Sequence, residues 1–551
     1  MLRQGNSTTQ SVTRSAPATA ATRATRTAVG LPSAGRSAAI VGAAFVASRV
    51  LGLLREVILG YRFGTSSEYD AYVSAFRVPD LLFLVVMSGA FGAAFIPIFG
   101  GYLENNDPER AWRLASAVVT RAAVAIVVLA LITFVLADPI MRHVVAPDLP
   151  DDVLPLAVRT MRILLLSPVF LGLGIAAKGI LEAQHQFTLP ALSPVFYNVA
   201  IIIAALLLAP EHGIEGVAVG VVIGALLHLG VQIPGLIGTG IRLRPTFDGA
   251  VDGLAEVGRL LLPRVIGLAA FQLNFVAMTY LASGAGEGRV SALNYAWQMM
   301  MLPHGVIALS ISTVVFPTMA RQYQTGRIDE VQRTFSQALM PMLFLTIPAS
   351  IGLFELRTAL PQAVFQFGAF DANSTALVSP AVAFLALGLL WYAIVELLTR
   401  FYYAMKDTRT PVIAGIVIIV INIVLGALLV DSLEQSGLAI ALTVSTGIEA
   451  MILFVLVRRR IGGLQPDFGS WIARVMLATA VMATIAEVVR PKLEQATASD
   501  STSRFMHLVM LGYVLTLLTA TYFLAAFWLR IPEAERFLSA FERRLPIRLR
   551  R

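Results

Sequence analysis

Apolar stretches of 18 or more residues, separated by short polar connections, recur from residue 38 to residue 529. A run of that length crosses a bilayer as a helix. Fourteen such segments are predicted, over residues 38–60, 79–100, 115–137, 160–180, 190–209, 216–238, 259–282, 293–317, 336–356, 380–402, 411–430, 437–457, 470–489 and 506–529. The pattern predicts an all-α polytopic membrane protein.

The first segment, AIVGAAFVASRVLGLLREVILG over 39–60, carries Arg49, Arg55 and Glu56. A charge at bilayer depth costs about 2.5–3.5 kcal/mol on insertion scales, so such residues face a bundle interior or a water-filled cavity. Arg49 and Glu56 are seven apart and share a helix face. They are expected either to pair between helices or to present an arginine to a central cavity. One carboxylate does not neutralise two arginines, and guanidinium suits phosphate.

The chain repeats itself. Pro97 and Pro317 are 220 apart, Pro190 and Pro411 are 221 apart, and Gly216 and Gly437 are also 221 apart. Ser48-Arg49-Val50-Leu51-Gly52 is echoed 215 residues later by Pro263-Arg264-Val265-Ile266-Gly267. The expected organisation is two six-helix lobes, 38–240 and 241–460, related by an axis along the membrane normal, with two added helices over 461–530. Basic tails flank them, a disordered one over 1–37 and a second over 531–551 that reads as a surface helix or a solvated tail. The first tail, rich in Ser, Thr, Ala and Arg, also has the look of a transit peptide.

Composition agrees with a membrane protein: 57% hydrophobic, 14% charged, mean hydropathy +0.76. With no cysteine, disulfides, thiol catalysis and Cys-ligated metals are excluded. The net charge of +8 is read as a topology signal rather than a nucleic-acid footprint. Connections after even-numbered segments hold sixteen Lys and Arg residues, and those after odd-numbered ones hold seven. Both termini are therefore expected in the cytoplasm.

Other candidates are weaker. Arg77 and Asp80 bracket Pro79 at a spacing that permits a local ion pair. Asp70 reads by default as a solvated loop residue. Arg264 echoes Arg49. Glu396, Glu449, Glu487 and His228 read as proton carriers or as groups satisfied by a neighbouring helix. Asn198, Asn274 and Asn422 read as interhelical hydrogen-bonding groups, and Gly216, Gly220 and Gly224 as a close-packing ridge. Walker A, HExxH and DDxxD sequences are absent, so a secondary-type transporter without cofactor or metal is expected rather than an enzyme.

The stretches SRVLGLLRE (48–56), DAYVSAFRVPDLL (70–82), SGAFGAAFIPIF (88–99), VSALNYAWQMMMLPHGV (290–306) and FYYAMKDTRTP (401–411) resemble the MviN/MurJ lipid II flippases of the MOP exporter superfamily. That resemblance implies a flippase in the bacterial plasma membrane. Its cargo would be undecaprenyl-pyrophosphate-linked disaccharide-pentapeptide, moved from the inner to the outer leaflet for peptidoglycan synthesis. A coupling ion or the membrane potential, and cell-wall synthesis proteins, are further candidate partners, and the sequence does not specify the driving force. By motif position it implies cavity roles for Arg49, Arg55, Asp70 and Ser291, to which the reading of residues adds Arg77 and Arg264. The chain departs from the family pattern at Phe83, Leu84, Ser88, Gln298 and Met301, where the family often has basic or acidic residues. The alternatives are an exporter of another polyprenyl-linked glycan or of a small molecule, and a transport-inactive membrane scaffold.

Overall fold

The structure is a computed structural model that describes residues 34–85, 95–461, 467–497 and 504–542. The N-terminal tail up to residue 33, Ser88 and most of its motif, and residues 543–551 lie outside the described residues, as does the Arg264 side chain. The first helices are α1 (Ala34–Phe63), α2 (Ser67–Phe83), α3 (Ile96–Glu104), α4 (Pro108–Val135), α5 (Ala137–Ile140), α6 (Leu154–Leu164), α7 (Ser167–Ala183), α8 (Thr188–Leu207), α9 (Ala209–Gly230) and α10 (Ile233–Gly238). Then come α11 (Leu254–Ser283), α12 (Arg289–His304), α13 (Ser310–Gln324), α14 (Ile328–Glu355), α15 (Ala359–Phe365), α16 (Ala372–Ala404), α17 (Arg409–Ile461), α18 (Phe468–Thr497), α19 (Arg504–Trp528) and α20 (Pro532–Glu542).

Helices satisfy backbone polar groups within one segment, as a hydrocarbon environment requires. No strand occurs among the described residues; Phe367 and Phe370 form one isolated bridge. Short polar side chains start several helices. Ser66, Asp107 and Asp371 accept from the backbone N–H groups of Tyr69, Arg110 and Ser374.

Ten helical stretches among the described residues are long and apolar enough to cross a membrane. That set omits α1, the α2–α3 pair and α11, and counts α17 once. Yet α17 is two helices joined end to end, broken at Glu434 with φ 51°.

Two breaks in the bundle match. Gly213 interrupts α9 at φ 53° and Glu434 interrupts α17, 221 residues later. Glu68 at the start of α2 accepts from Ile214 N–H at 2.7 Å, beside the first break. Arg289 at the start of α12, 221 residues after Glu68, pairs with Glu434 at 2.7 Å, at the second. A Cβ on Gly216 would sit 2.8 Å from the Leu208 carbonyl oxygen, and one on Gly437 would sit 2.5 Å from that of Leu429. The same close backbone approach thus occurs twice, and it explains both glycines. Gly220 and Gly224 continue the first, against Ala204 and Tyr197 of α8.

Three cores hold the bundle. One joins α2, α6, α9, α12 and α16 around Tyr69, Tyr295 and Phe370. A second joins α14, α16, α18 and α19 around Phe344, Trp471 and Tyr522. The third packs Phe95, Phe99 and Trp112 against α7. Helix α20 docks rather than trailing into solvent: the Trp471 indole donates to Glu533 at 2.7 Å, and Phe537 packs on Phe344 and Phe523.

Several polar groups of the spans find partners, while others, such as His228 Nδ1 and Asn422 Oδ1, are buried without a hydrogen bond among the described residues. Glu396 pairs with Arg400 and Glu487 with Arg490, and Asn422 donates to Asn274 at 2.7 Å. The His228 ring packs where a Cβ on Gly174 would stand.

Candidate functional site

A cavity of about 300 Å³ opens between α1, α8, α12 and α15. Helix α1 supplies Ser48, Arg49, Gly52, Arg55 and Glu56, and α8 supplies Tyr197 and Asn198. Helix α12 supplies Gln298, Met299 and Leu302, and Phe365 of α15 lies at one end. Pro303 has no N–H to give its helix, and a π-helical turn over Gly305–Leu309 follows it. That turn brings Gly305 to the arginine: a Cβ there would meet the Arg49 guanidinium at 3.9 Å.

Arg49 and Arg55 share the cavity but differ in state. Arg49 is exposed into it, its guanidinium 5.4 Å from the Phe45 ring centroid, and no acid pairs with it among the described residues. Arg55 donates through Nη2 and Nε to Glu56 Oε1, at 2.6 and 3.2 Å, and through Nη1 to Asn198 at 3.2 Å. Of the two arrangements that the seven-residue spacing left open, the Arg49–Glu56 pair does not form: the partner of Glu56 is its neighbour Arg55. Tyr69 also donates to Glu56, at 3.2 Å. The cavity wall thus carries two guanidinium groups against one carboxylate.

Asp70 and Ser291 are elsewhere. Asp70 is 2% exposed and accepts from Ser291 N–H at 2.7 Å, from the Ser291 hydroxyl, and from Gly288 N–H at 2.6 Å. It is no solvated loop residue, and neither it nor Ser291 lines the cavity. The pair ties the start of α2 to the start of α12. Around it, Thr65 donates to Ser374, Ala369 N–H to the Tyr61 carbonyl, and Gly64 and Gly288 fit against Ala369 and Thr65 backbone oxygens. This packed end of the bundle lies next to the cavity wall through Phe365, whose ring meets Tyr295 and Phe370.

Arg77 and Asp80 do not pair with each other. Both reach across to α11, Arg77 donating to Thr279 at 2.7 Å and lying over Phe275, and Asp80 accepting from Gln272 at 3.2 Å. Polar groups on the facing helix win over the local three-residue spacing. Gln298 lines the cavity, whereas Met301 packs against apolar neighbours. Phe83 is likewise packed in apolar surroundings. Sequence reasoning missed Tyr197, Phe365 and Tyr69, because aromatic residues abound in any membrane core. Gly60 near the end of α1 and Gly64 just after it, four apart, were a readable sign of close approach.

Bundled membrane helices around an arginine-bearing cavity form an architecture that transport proteins use. The same architecture occurs in an inward-facing multidrug transporter of the MATE family in the MOP superfamily (TM-score 0.64, 16% identity, covering 75% of this chain and 94% of that one). It occurs also in the lipid II flippase MurJ in an inward closed conformation (TM-score 0.74, 25% identity, 89% and 99% covered). The family model "Lipid II flippase MurJ" matches residues 59–528. A probable lipid II flippase MurJ of Rhizobium tropici is 30% identical over 500 residues, covering 88% of this chain and 92% of that protein. The lipid II flippase MurJ of Burkholderia cenocepacia is 31% identical over 430 residues, with 77% and 83% covered. The chain belongs to the MurJ family of lipid II flippases.

Proposed function

We propose that this chain carries lipid II, a polyprenyl-diphosphate-linked glycan, across the bacterial inner membrane by alternating access. The observation that carries the reading is the Arg49 guanidinium, which stands in the cavity beside the Arg55–Glu56 pair without an acidic partner among the described residues. Guanidinium offers planar, bidentate donors to phosphate oxygens. A cavity with net positive charge favours a diphosphate over the cationic compounds that a drug exporter would hold. No covalent step is needed, so the chain works as a transporter of the secondary type.

In this reading the matching breaks at Gly213 and Glu434 belong to two six-helix lobes, residues 38–240 and 241–460, followed by two further helices. Counting α1, the α2–α3 pair, α11 and both halves of α17 gives fourteen crossings with both termini in the cytoplasm. The Asp70–Ser291 contact then lies at the outer face and holds it shut while the cavity faces inward.

The test is growth of a bacterium depleted of its own lipid II flippase. The unaltered chain is expected to restore growth, Arg49→Ala to fail at equal membrane abundance, and Arg49→Lys to restore it in part. Full restoration by Arg49→Ala overturns the site. Failure of the unaltered chain, properly inserted, overturns the substrate.

A further inference from the structure

The cavity and the closed end are joined by one unbroken line of contacts. Arg55 engages Glu56 Oε1 through both Nε and Nη2. The Tyr69 hydroxyl donates to the other oxygen, Oε2, at 3.2 Å. The Tyr69 ring stacks on Tyr295 at 5.2 Å, and the Tyr295 hydroxyl donates to the Gly64 carbonyl at 3.2 Å. Tyr69 immediately precedes Asp70, and Tyr295 is four residues beyond Ser291. The two stacked rings therefore join the carboxylate of Glu56 to the Asp70–Ser291 contact.

We propose that Glu56 is a positioning residue that couples occupancy of the cavity to release of the closed end. The Nε–Nη2 edge of Arg55 is the edge that takes two oxygens of a phosphate, and Glu56 occupies it. An entering diphosphate and Glu56 compete for that guanidinium. When the anion wins, Glu56 is left buried and negative beside a second negative group, an arrangement far less stable than the pair. Its remaining partner is the Tyr69 hydroxyl. The carboxylate has to shift toward water or a new donor, and the Tyr69–Tyr295 stack that supports Asp70 and Ser291 loosens with it. The ligand half of this proposal rests on the diphosphate reading above. The link from Glu56 through Tyr69 to the closed end does not.

Ser374 is 3% exposed and bonded to Thr65 at that end, and the chain has no cysteine. Ser374→Cys therefore gives a single reporter in the purified full chain, labelled with a polar maleimide. Binding of inorganic pyrophosphate is measured on the same preparations. Glu56→Gln is expected to bind pyrophosphate about tenfold more tightly, the worth of one freed charge-assisted donor pair, and to label several-fold faster at position 374. Tyr69→Phe keeps the ring and removes the hydroxyl that joins it to Glu56, so labelling at position 374 is expected to rise. Glu56→Asp is expected to return both readouts toward the unaltered chain. If Glu56→Gln does not fold, Tyr69→Phe still decides the coupling. Pyrophosphate binding by Glu56→Gln no tighter than by the unaltered chain overturns the competition. Unchanged labelling in Tyr69→Phe overturns the link to the closed end. If the unaltered chain binds no pyrophosphate, the diphosphate reading falls, and labelling alone judges the coupling.

Discussion

The carboxylate of Asp70 on α2 accepts from the backbone N–H and the hydroxyl of Ser291 on α12, and the two residues are 221 apart in the chain. That interval also separates Pro190 from Pro411, Gly213 from Glu434, and Gly216 from Gly437. Asp70 and Ser291, one such interval apart, thus meet each other.

Asp70→Ala is expected to remove one acceptor from three donors. Two of them are backbone N–H groups that remain buried, each at about 1–3 kcal/mol. Thermal unfolding of the purified chain should move to lower temperature, and growth of the depleted strain should fail. Ser291→Ala deletes only the hydroxyl, leaves both N–H bonds in place, and should be the milder variant in both measurements.

The two cavity arginines should respond differently to removal. Arg49→Ala deletes an unpaired cation and is expected to abolish transport with little change in unfolding temperature. Arg55→Ala leaves Glu56 buried with Tyr69 as its remaining donor and is expected to lower stability as well, by about 3–5 kcal/mol if the pair behaves as other buried ones do. Equal unfolding temperatures for the two variants would contradict this difference.

Gln298 lines the cavity, but its amide carries no net charge. Gln298→Ala is expected to retain most of the transport activity, while Arg49→Ala loses it. Growth assays with abundance measured by blotting compare them directly. A Gln298→Ala variant as inactive as Arg49→Ala would move the anion site onto α12.

The close approach at Gly437 predicts a localised effect of volume. A Cβ there would stand 2.5 Å from the Leu429 carbonyl oxygen, whereas one on Gly100 would meet nothing within 4 Å. Gly437→Ala is expected to destabilise by about 1–3 kcal/mol, and Gly100→Ala to be close to neutral. The comparison is one of unfolding temperatures.

Topology is tested with single cysteines. Asn106→Cys lies between α3 and α4, and Asp151→Cys lies between α5 and α6, both at exposed positions. Asp151→Cys is expected to react with an impermeant reagent from outside intact cells, and Asn106→Cys only after permeabilisation. The reverse pattern would invert the protein in the membrane.

The helical, membrane-spanning character was legible without coordinates. Hydrophobic runs of bilayer length have few alternatives, and backbone groups in lipid leave the helix as the one local solution for a single segment. Two arginines in one apolar run likewise marked a cavity, because burying a charge is costly anywhere else. What the sequence alone did not determine was which charged group meets which. Arg55 rather than Arg49 takes Glu56, Arg77 and Asp80 turn from each other toward α11, and Asp70 finds Ser291 across 221 residues. Spacing along one helix says which residues share a face. The partner on that face comes from another helix, brought there by close approaches such as Gly216 on Leu208 and by the π-helical turn after Pro303. Those approaches are decided by packing of the whole bundle, so ion pairs, closure and cavity belong to the tertiary structure.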